Sequence, residues 1–302
     1  MSTYHRGERA VQRRSGLPEA ADHAGRSIRD SVPAVAARFL AAQRLLVVGA
    51  ADARGRVWAS PLTGAPGFLR AEDDRTVGVD AVPRAGDPLS GVFDGRPVQV
   101  GAIALDPAAR RRMRVNGTAR RVGSTGLRLA ADQVYANCPK YIQRRTLEPA
   151  VPADDVTPRH GDRLSADQQG LLRRADTFFV ATASDTGAAD ASHRGGNPGF
   201  VSVHSPRLIS WPDYVGNAMF MTLGNLWVDG RAGLLVPDWE TGDLLQITGT
   251  ARVRWADDSP GARRSVEFSV AEVVATPRAG LLSPGEPEYS RANPPVAVAA
   301  PG

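Results

Sequence analysis

The chain repeats itself once, and this repeat constrains the fold more than any other sequence feature. The motif Gly-Ala-Pro-Gly-Phe at residues 64–68 recurs as Gly-Asn-Pro-Gly-Phe at 196–200, and Asn-Gly-Thr-Ala-Arg at 116–120 recurs as Thr-Gly-Thr-Ala-Arg at 248–252. Both pairs are separated by 132 residues, and the same offset needs no gap between them. It also superposes Ala59, Ser60, Arg75, Gly101 and Asp106 on Ala191, Ser192, Arg207, Gly233 and Asp238. The sequence therefore predicts two copies of one domain, because solenoid repeats are much shorter.

Composition around the repeat sets the expected domain boundaries. We expect the first copy at residues 30–145 and the second at 165–275, joined by a Pro- and Asp-containing linker at 146–164. Residues 1–29 form an N-terminal arm. Residues 276–302 are rich in Pro, Ala, Gly and Ser without apolar periodicity, which predicts a disordered tail.

Each copy is predicted to be mostly β. Apolar runs at 45–50 and 177–182 are followed by Asp- and Gly-containing turn signals, which indicates a hairpin in each copy. Five or six short strands with few helices favour a small β-barrel over an α/β sheet. Helices are predicted at residues 32–42, 167–174 and 138–145, with Ser165 as a capping residue for the second of these.

Composition also excludes several classes of protein. The sequence has no run of eighteen uncharged apolar residues and no basic segment followed by an apolar core at its start, which argues against a membrane span and a secretory signal. Cys138 is the only cysteine, so an internal disulfide and a thiolate zinc or iron–sulfur cluster are excluded. These features fit a cytoplasmic protein with no metal.

The basic charge invites a nucleic-acid interpretation that its distribution disfavours. The net charge is +5 and the pI is about 9.9. Lys140 is the only lysine, and the arginines are spread along the chain instead of gathering beside aromatic residues. We therefore interpret the excess of arginine as compositional and expect a small-molecule partner.

The densest group of candidate ligand-binding residues lies in the second copy. Ser192, His193, Arg194 and Gly195 run into a Gly-rich turn, where backbone N–H groups and a guanidinium can bind an anion. In the alternative interpretation, the glycines only permit positive φ and Arg194 is solvated. His193 is the candidate catalytic residue, and a hydrogen-bond donor that transfers no proton is the alternative.

Two further segments carry candidate binding residues. Asn217 and Thr222 or Asn225 have helical spacing next to apolar residues, so their polar groups and an aromatic neighbour suit a flat heteroaromatic ligand. The alternative is a capped helix that packs over the barrel. Lys140 lies with Arg144 on the third predicted helix, where the two cations face either an anionic ligand or solvent.

At these residues the chain resembles the flavin-nucleotide-binding split-barrel proteins related to pyridoxamine 5′-phosphate oxidase. The resemblance covers about residues 30–275. It is carried by segments of the second copy at 192–200, 212–217, 222–226 and 249–251, and by Cys-Pro-Lys-Tyr at 138–141. It implies tandem FMN-binding split β-barrels and an FMN-dependent oxidoreductase whose substrate and electron acceptor are undefined. The alternative is a non-catalytic protein that binds flavin, F420 or haem.

Carried over residue by residue, the resemblance implies that Ser192, His193 and Arg194 contact the flavin phosphate and ring edge. It implies that Asn217, Thr222 and Asn225 form the facing wall. Family members are usually homodimers with FMN at the subunit interface, so the two copies here imply either an intramolecular pseudo-dimer or a homodimer. The first copy departs from the pattern, because Ser-Pro-Leu-Thr at 60–63 replaces Ser-His-Arg-Gly. One FMN site per chain is therefore the expectation.

Overall fold

The structure is a computed structural model that describes residues 3–149, 156–255, 260–279, 281–283 and 285–296. Its helices are α1 (Arg6–Arg14), α2 (Pro18–Gly25), α3 (Ala34–Ala41), α4 (Ala166–Arg174) and α5 (Met221–Val228). Its first nine strands are β1 (Leu45–Ala51), β2 (Val57–Thr63), β3 (Leu69–Ala71), β4 (Thr76–Val79), β5 (Val98–Asp106), β6 (Arg111–Val122), β7 (Gly126–Ala136), β8 (Glu148–Pro149) and β9 (Arg159–Gly161). The others are β10 (Thr177–Ala183), β11 (Ala189–Gly195), β12 (Ser202–Ser205), β13 (Leu208–Tyr214), β14 (Arg231–Pro237), β15 (Leu244–Trp255), β16 (Ala262–Thr276) and β17 (Leu281–Leu282). The expectation of a mostly β protein with few helices is confirmed.

Two antiparallel sheets form the body of the protein. Strand order in the first is β2-β1-β5-β6-β7-β4-β3, and in the second it is β11-β10-β14-β15-β16-β13-β12, with β9 added beside β16. The first sheet thus has seven strands and the second has eight, and the seven that correspond follow the same order. The sequence analysis expected five or six strands in each copy. Both long central pairings contain a register shift, between Asn116 and Gly117 in one sheet and between Thr248 and Gly249 in the other.

Each sheet covers its own apolar core, and a third core lies between the sheets. Trp58 and Leu69 belong to the first core, and Trp211 and Phe268 belong to the second. The core between the sheets is formed by Leu45, Val47, Val57, Ala59, Ile103, Leu105, Phe179, Ala181, Ala191, Leu235 and neighbouring residues. The sheets are therefore held together by an apolar contact, as expected where two sheet faces bury one another.

Glycines permit the sheets to approach closely at this contact. A β-carbon on Gly101 would lie 2.4 Å from the Cα of Asp190, and one on Gly233 would lie 2.5 Å from the carbonyl oxygen of Val57. A β-carbon on Gly49 would lie 2.5 Å from that of Ala181. These separations are shorter than real β-carbon contacts, so each of these positions requires glycine for packing.

The N-terminal arm is helical, and α1 packs on α5. His5 and Glu8 form a capping box at the start of α1, in which the Glu8 carboxylate accepts a hydrogen bond of 2.8 Å from the backbone N–H of His5. The Glu8 side chain is buried against Gly224 of α5. The described residues contain no helix that is long and apolar enough to cross a membrane.

Two sequence predictions differ from the structure. Residues 138–145 were expected to form a helix, but they form an irregular segment. Pro139 removes one backbone donor, Tyr141 has a left-handed φ of 68°, and Gln143 is buried, donating to the carbonyl oxygen of Gly196. The helical spacing proposed for Lys140 and Arg144 is therefore wrong.

The segment after residue 275 was expected to be a disordered tail, but its described residues make specific contacts. Strand β17 pairs with β8, and Glu288 forms a backbone bridge with Arg144. The Asn293 amide donates to Gln143 and to Asn197 at 2.9 Å. The predicted linker also falls partly outside the described residues, at 150–155.

The glycine contact between the sheets gives a testable expectation. Gly101→Ala places a β-carbon against the backbone of Asp190, so we expect the free energy of unfolding to fall by about 1–3 kcal/mol, the usual cost of overpacking. Gly95→Ala is the matched control, because a β-carbon there meets nothing within 4 Å. Urea denaturation of both variants makes the comparison, and equal stability of the two would contradict the close approach.

Burial of Glu8 predicts a pH dependence of stability. Burial raises the pKa of Glu8 from 4.5 to about 8, so the folded protein keeps a proton that the unfolded chain loses between these values. The contribution of Glu8 therefore becomes less favourable as the pH rises from about 4.5 to 8. Glu8→Gln retains the capping box and should flatten this part of the curve, as measured by urea unfolding at pH 5 and pH 8. An unchanged slope would contradict the argument.

Candidate functional site

A cleft opens where β6 of the first sheet meets β11 of the second. Its volume is about 100 Å³, less than the ~300–1,000 Å³ typical of small-molecule sites, and it opens to solvent at its mouth. Its lining residues from the first half are Arg112, Arg114, Asn137, Cys138, Lys140 and Tyr141. Those from the second half include His193, Arg194, Gly195, Asp213, Tyr214, Asn217 and Thr222. Both halves of the chain therefore contribute to one site.

A buried network centred on Asp190 supports the floor of the cleft. The Arg114 guanidinium donates to both Asp190 oxygens, at 2.8 and 3.0 Å, and the Tyr135 hydroxyl lies 3.3 Å from one of them. Ser192 donates to Asp190 at 3.2 Å and lies 2.7 Å from the Thr222 hydroxyl. This network joins β6, β7, β11 and α5, and the Asp190 carboxylate compensates the charge of Arg114.

The remaining cations of the cleft have no carboxylate within ion-pair distance in the part of the chain that the structure describes, and Asp213 and Asp190 act on Arg194 only from farther away. Among the described residues, no carboxylate forms an ion pair with Arg112, Arg194 or Lys140. Burial, together with Arg114 and Arg194, lowers the pKa of Arg112 to about 9. Burial also lowers the pKa of Arg194. The lining thus holds four cations, Arg112, Arg114, Lys140 and Arg194, and one carboxylate, Asp213, so the cleft favours an anionic ligand.

Several polar atoms of the cleft lack partners within the described part of the chain. The Nε atoms of Arg112 and Arg194, the Nε2 of His193 and the Oδ1 of Asn137 are buried without a hydrogen bond. An unsatisfied buried polar group costs about 1–3 kcal/mol. A ligand that offers acceptors to the three nitrogens would remove much of this cost.

Two tyrosines form an aromatic wall of the cleft. The ring centroids of Tyr141 and Tyr214 are 5.1 Å apart with the planes tilted by 38°, and the Tyr141 hydroxyl donates to the carbonyl oxygen of Val215 at 2.9 Å. The close approach of the Tyr141 carbonyl to Gly195 leaves no space for a β-carbon there, since the two would be 2.0 Å apart. Gly195 is thus needed for the shape of the wall.

The structure brings six of the eight sequence-predicted site residues to the cleft, namely Lys140, His193, Arg194, Gly195, Asn217 and Thr222. Ser192 and Asn225 lie behind its wall. Asn225 donates to the Thr182 hydroxyl at 2.9 Å and its carbonyl oxygen lies 2.9 Å from the Nε2 of His5. As ligand contacts, all eight residues stay predictions.

The helical spacing proposed for Asn217 and Thr222 is wrong. Helix α5 begins at Met221, and Asn217 lies in the loop before it, where its Oδ1 accepts from the Met219 N–H at 3.2 Å. Ala218 and Phe220 have left-handed φ values of 61° and 58°, which prevent the helix from extending back to Asn217.

Sequence reasoning missed Arg112, Arg114 and the two tyrosines. A signal for the arginines was present, because Arg112 and Arg114 are two residues apart at the start of a predicted β segment, where residues two apart share one face. At the 132-residue offset they correspond to Leu244 and Gln246, so the two halves differ in charge at these positions.

Applying the 132-residue offset to the cleft residues gives a second, equivalent position between the two sheets. This equivalent position is apolar and small. A cavity of only about 10 Å³ lies there, lined by Leu45, Pro61, Thr63, Phe179, Leu235, Pro237, Trp239 and Leu244. Below it, Gln246 donates to Ser60 at 3.0 Å and to Asp87 at 3.1 Å, which occupies the polar groups of this position. The two corresponding positions therefore differ in both size and charge.

No protein-family model matches the chain, and no curated protein matches it. Similar solved structures include HupZ from Group A Streptococcus, at 10% identity over 42% of this chain and 98% of that chain, with a TM-score of 0.30. A putative pyridoxamine 5′-phosphate oxidase from Lactobacillus delbrueckii has 17% identity over 37% of this chain and 94% of that chain, with a TM-score of 0.31. An F420 reductase has 11% identity over 34% of this chain and 91% of that chain, with a TM-score of 0.26.

Proposed function

We propose that the protein is an FMN-dependent oxidoreductase of the pyridoxamine 5′-phosphate oxidase-like kind, with FMN bound in the cleft between the two sheets. The observation that carries the proposal is the group of cations without carboxylate partners, Arg112, Arg194 and Lys140, next to the tyrosine wall. FMN combines a phosphate with a flat heteroaromatic ring, and these are the two chemistries that such a lining recognises.

The chemistry of the lining residues suits this cofactor. The unpartnered nitrogens of Arg112 and Arg194 suit phosphate oxygens, and the neutral Nε2 of His193 suits an acceptor at the phosphate or ring edge. Tyr141 and Tyr214 offer an aromatic surface. Thr222 and Asn217, which also line the cleft, would add polar groups for the ring edge.

When bound, FMN would supply hydride or two-electron transfer to an acceptor. The protein's own residues would bind and orient it. Arg112 and Arg194 would neutralise the phosphate in a site of low dielectric, where the attraction is stronger than in water. Gly195 would let the backbone approach closely, and the Asp190 network would keep β11 and α5 in register behind the site.

We further propose that the chain consists of two tandem split-barrel copies that form an intramolecular pseudo-dimer. The shared strand order of the sheets supports this. The glycine contacts are also reciprocal: Gly101 contacts Asp190, and Gly233 contacts Trp58, where each pair of equivalent residues is 132 positions apart. Gly49 and Ala181 are also 132 residues apart and face each other. An isologous interface pairs positions in this reciprocal way.

A variant at Arg194 tests the placement of the cofactor. Arg194→Ala removes a cation of the cleft that forms no ion pair, so we expect the purified protein to lose the FMN absorbance that the parent chain retains. Arg54→Ala, on an exposed turn, is the control and should keep the cofactor. Visible spectra and chromatography of the released chromophore provide the measurement. Unchanged FMN retention in Arg194→Ala would refute the placement, and bound FMN without turnover of reduced nicotinamides would indicate a non-catalytic flavin protein.

The difference between the cleft and its apolar equivalent predicts how many FMN molecules each chain binds. Pro61, Leu244 and Gln246 replace His193, Arg112 and Arg114 at the second position, which leaves no uncompensated cation there. We expect isothermal titration with FMN to give one site per chain, and Arg194→Ala to reduce this to none. Two sites per chain would contradict the assignment, and F420 and haem titrated in parallel identify a different cofactor.

A further inference from the structure

We propose that Arg112 is a positioning residue that holds the His193 ring in one neutral tautomer, with its proton on Nε2, so that the ring donates a hydrogen bond to the ligand in the cleft. The tautomer is a property of the ligand-free protein. The identity of the acceptor alone rests on the proposed function.

The contact between the two side chains determines which nitrogen carries the proton. Arg112 Nη1 lies 2.8 Å from His193 Nδ1. A guanidinium has N–H donors and no acceptor, so Nδ1 must accept through its lone pair and carries no proton. A neutral imidazole has one ring proton, which is then on Nε2.

The surroundings keep the ring neutral. His193 is buried, and four arginines oppose a positive charge on it, namely Arg112, Arg194, Arg145 and Arg114. Burial and these charges lower the pKa of His193 well below 6.5. In the imidazolium, Nδ1 carries a proton and has no lone pair, so it could not accept the hydrogen bond from the Arg112 guanidinium.

The ring is fixed in place by its packing. The Phe179 ring meets it edge-on, with centroids 5.7 Å apart and planes at 73°. The Nε2 atom is buried and has no partner among the described residues. The only lone pair of the neutral ring is occupied by Arg112, so His193 can donate to a ligand but cannot act as the base that removes its proton.

The test is a two-bond proton–nitrogen correlation spectrum of the full chain labelled with ¹⁵N-histidine, without ligand, from pH 8 to pH 5. His193→Phe identifies the signals of His193 among the five histidines. We expect the protonated-nitrogen shift at Nε2, the unprotonated shift at Nδ1 and no titration over this range. A proton on Nδ1, or titration near pH 6.5, would overturn the proposal.

Substitution of Arg112 separates positioning from general structure. Arg112→Met should produce a tautomer mixture or a titrating ring, whereas Arg112→Lys retains a donor and should preserve the parent spectrum. Arg111→Met is the matched control, because Arg111 is exposed and stacks on Phe39 away from the cleft. Circular dichroism verifies that each variant is folded. A parent-like spectrum for Arg112→Met would overturn the positioning role.

The ligand step is measured with FMN itself. His193→Phe retains the ring that packs on Phe179 but has no donor, so we expect FMN to bind about ten-fold more weakly, the effect of one hydrogen bond of ~1.4 kcal/mol. If His193→Phe binds FMN as tightly as the parent chain, and the parent chain shows the expected proton–nitrogen spectrum, the hydrogen bond from His193 to the ligand is refuted and the tautomer assignment stands. No FMN binding by the parent chain would refute the proposed function and leave the tautomer result standing.

Discussion

Close backbone packing between the two sheets is the constraint on which the rest of the structure depends. Gly101 and Gly233 let strands of one sheet touch the backbone of the other, and Gly49 makes room for the Ala181 side chain. This contact brings the start of β6 beside the end of β11, and the cleft lies between them. An added β-carbon at the contact would overpack it and disturb the two strands that form the walls of the site.

The second determinant is an imbalance of charge across that contact. Asp190 compensates Arg114 in a fully buried pair, and Arg112 and Arg194 have no corresponding carboxylate within the described residues. Loss of Asp190 would leave Arg114 uncompensated as well, since breaking a buried pair leaves one charge without a partner. The same carboxylate therefore stabilises the fold and sets how much positive charge remains for a ligand.

The sequence predicted the mostly β fold, the strand pairs of each half, helices α3 and α4 and the position of the cleft residues on β11, because these depend on local periodicity and turn residues. It did not predict the contacts of Arg112 with His193 or of Tyr141 with Tyr214, because these join residues about 80 and 73 positions apart through the packing of one sheet on the other. The irregular segment at 138–145 was missed for a similar reason. Its conformation is set by the burial of Gln143, which alternation along the chain does not reveal.

Both walls of the cleft belong to one covalent chain. Where a cleft forms between separate subunits, its two walls part on dilution, and the occupancy of the site depends on the concentration of the protein. Here β6 and β11 are joined by the intervening chain, so their effective concentration does not fall when the protein is diluted. The linkage also removes the requirement that two subunits be identical, so Arg112 in the first half can correspond to Leu244 in the second.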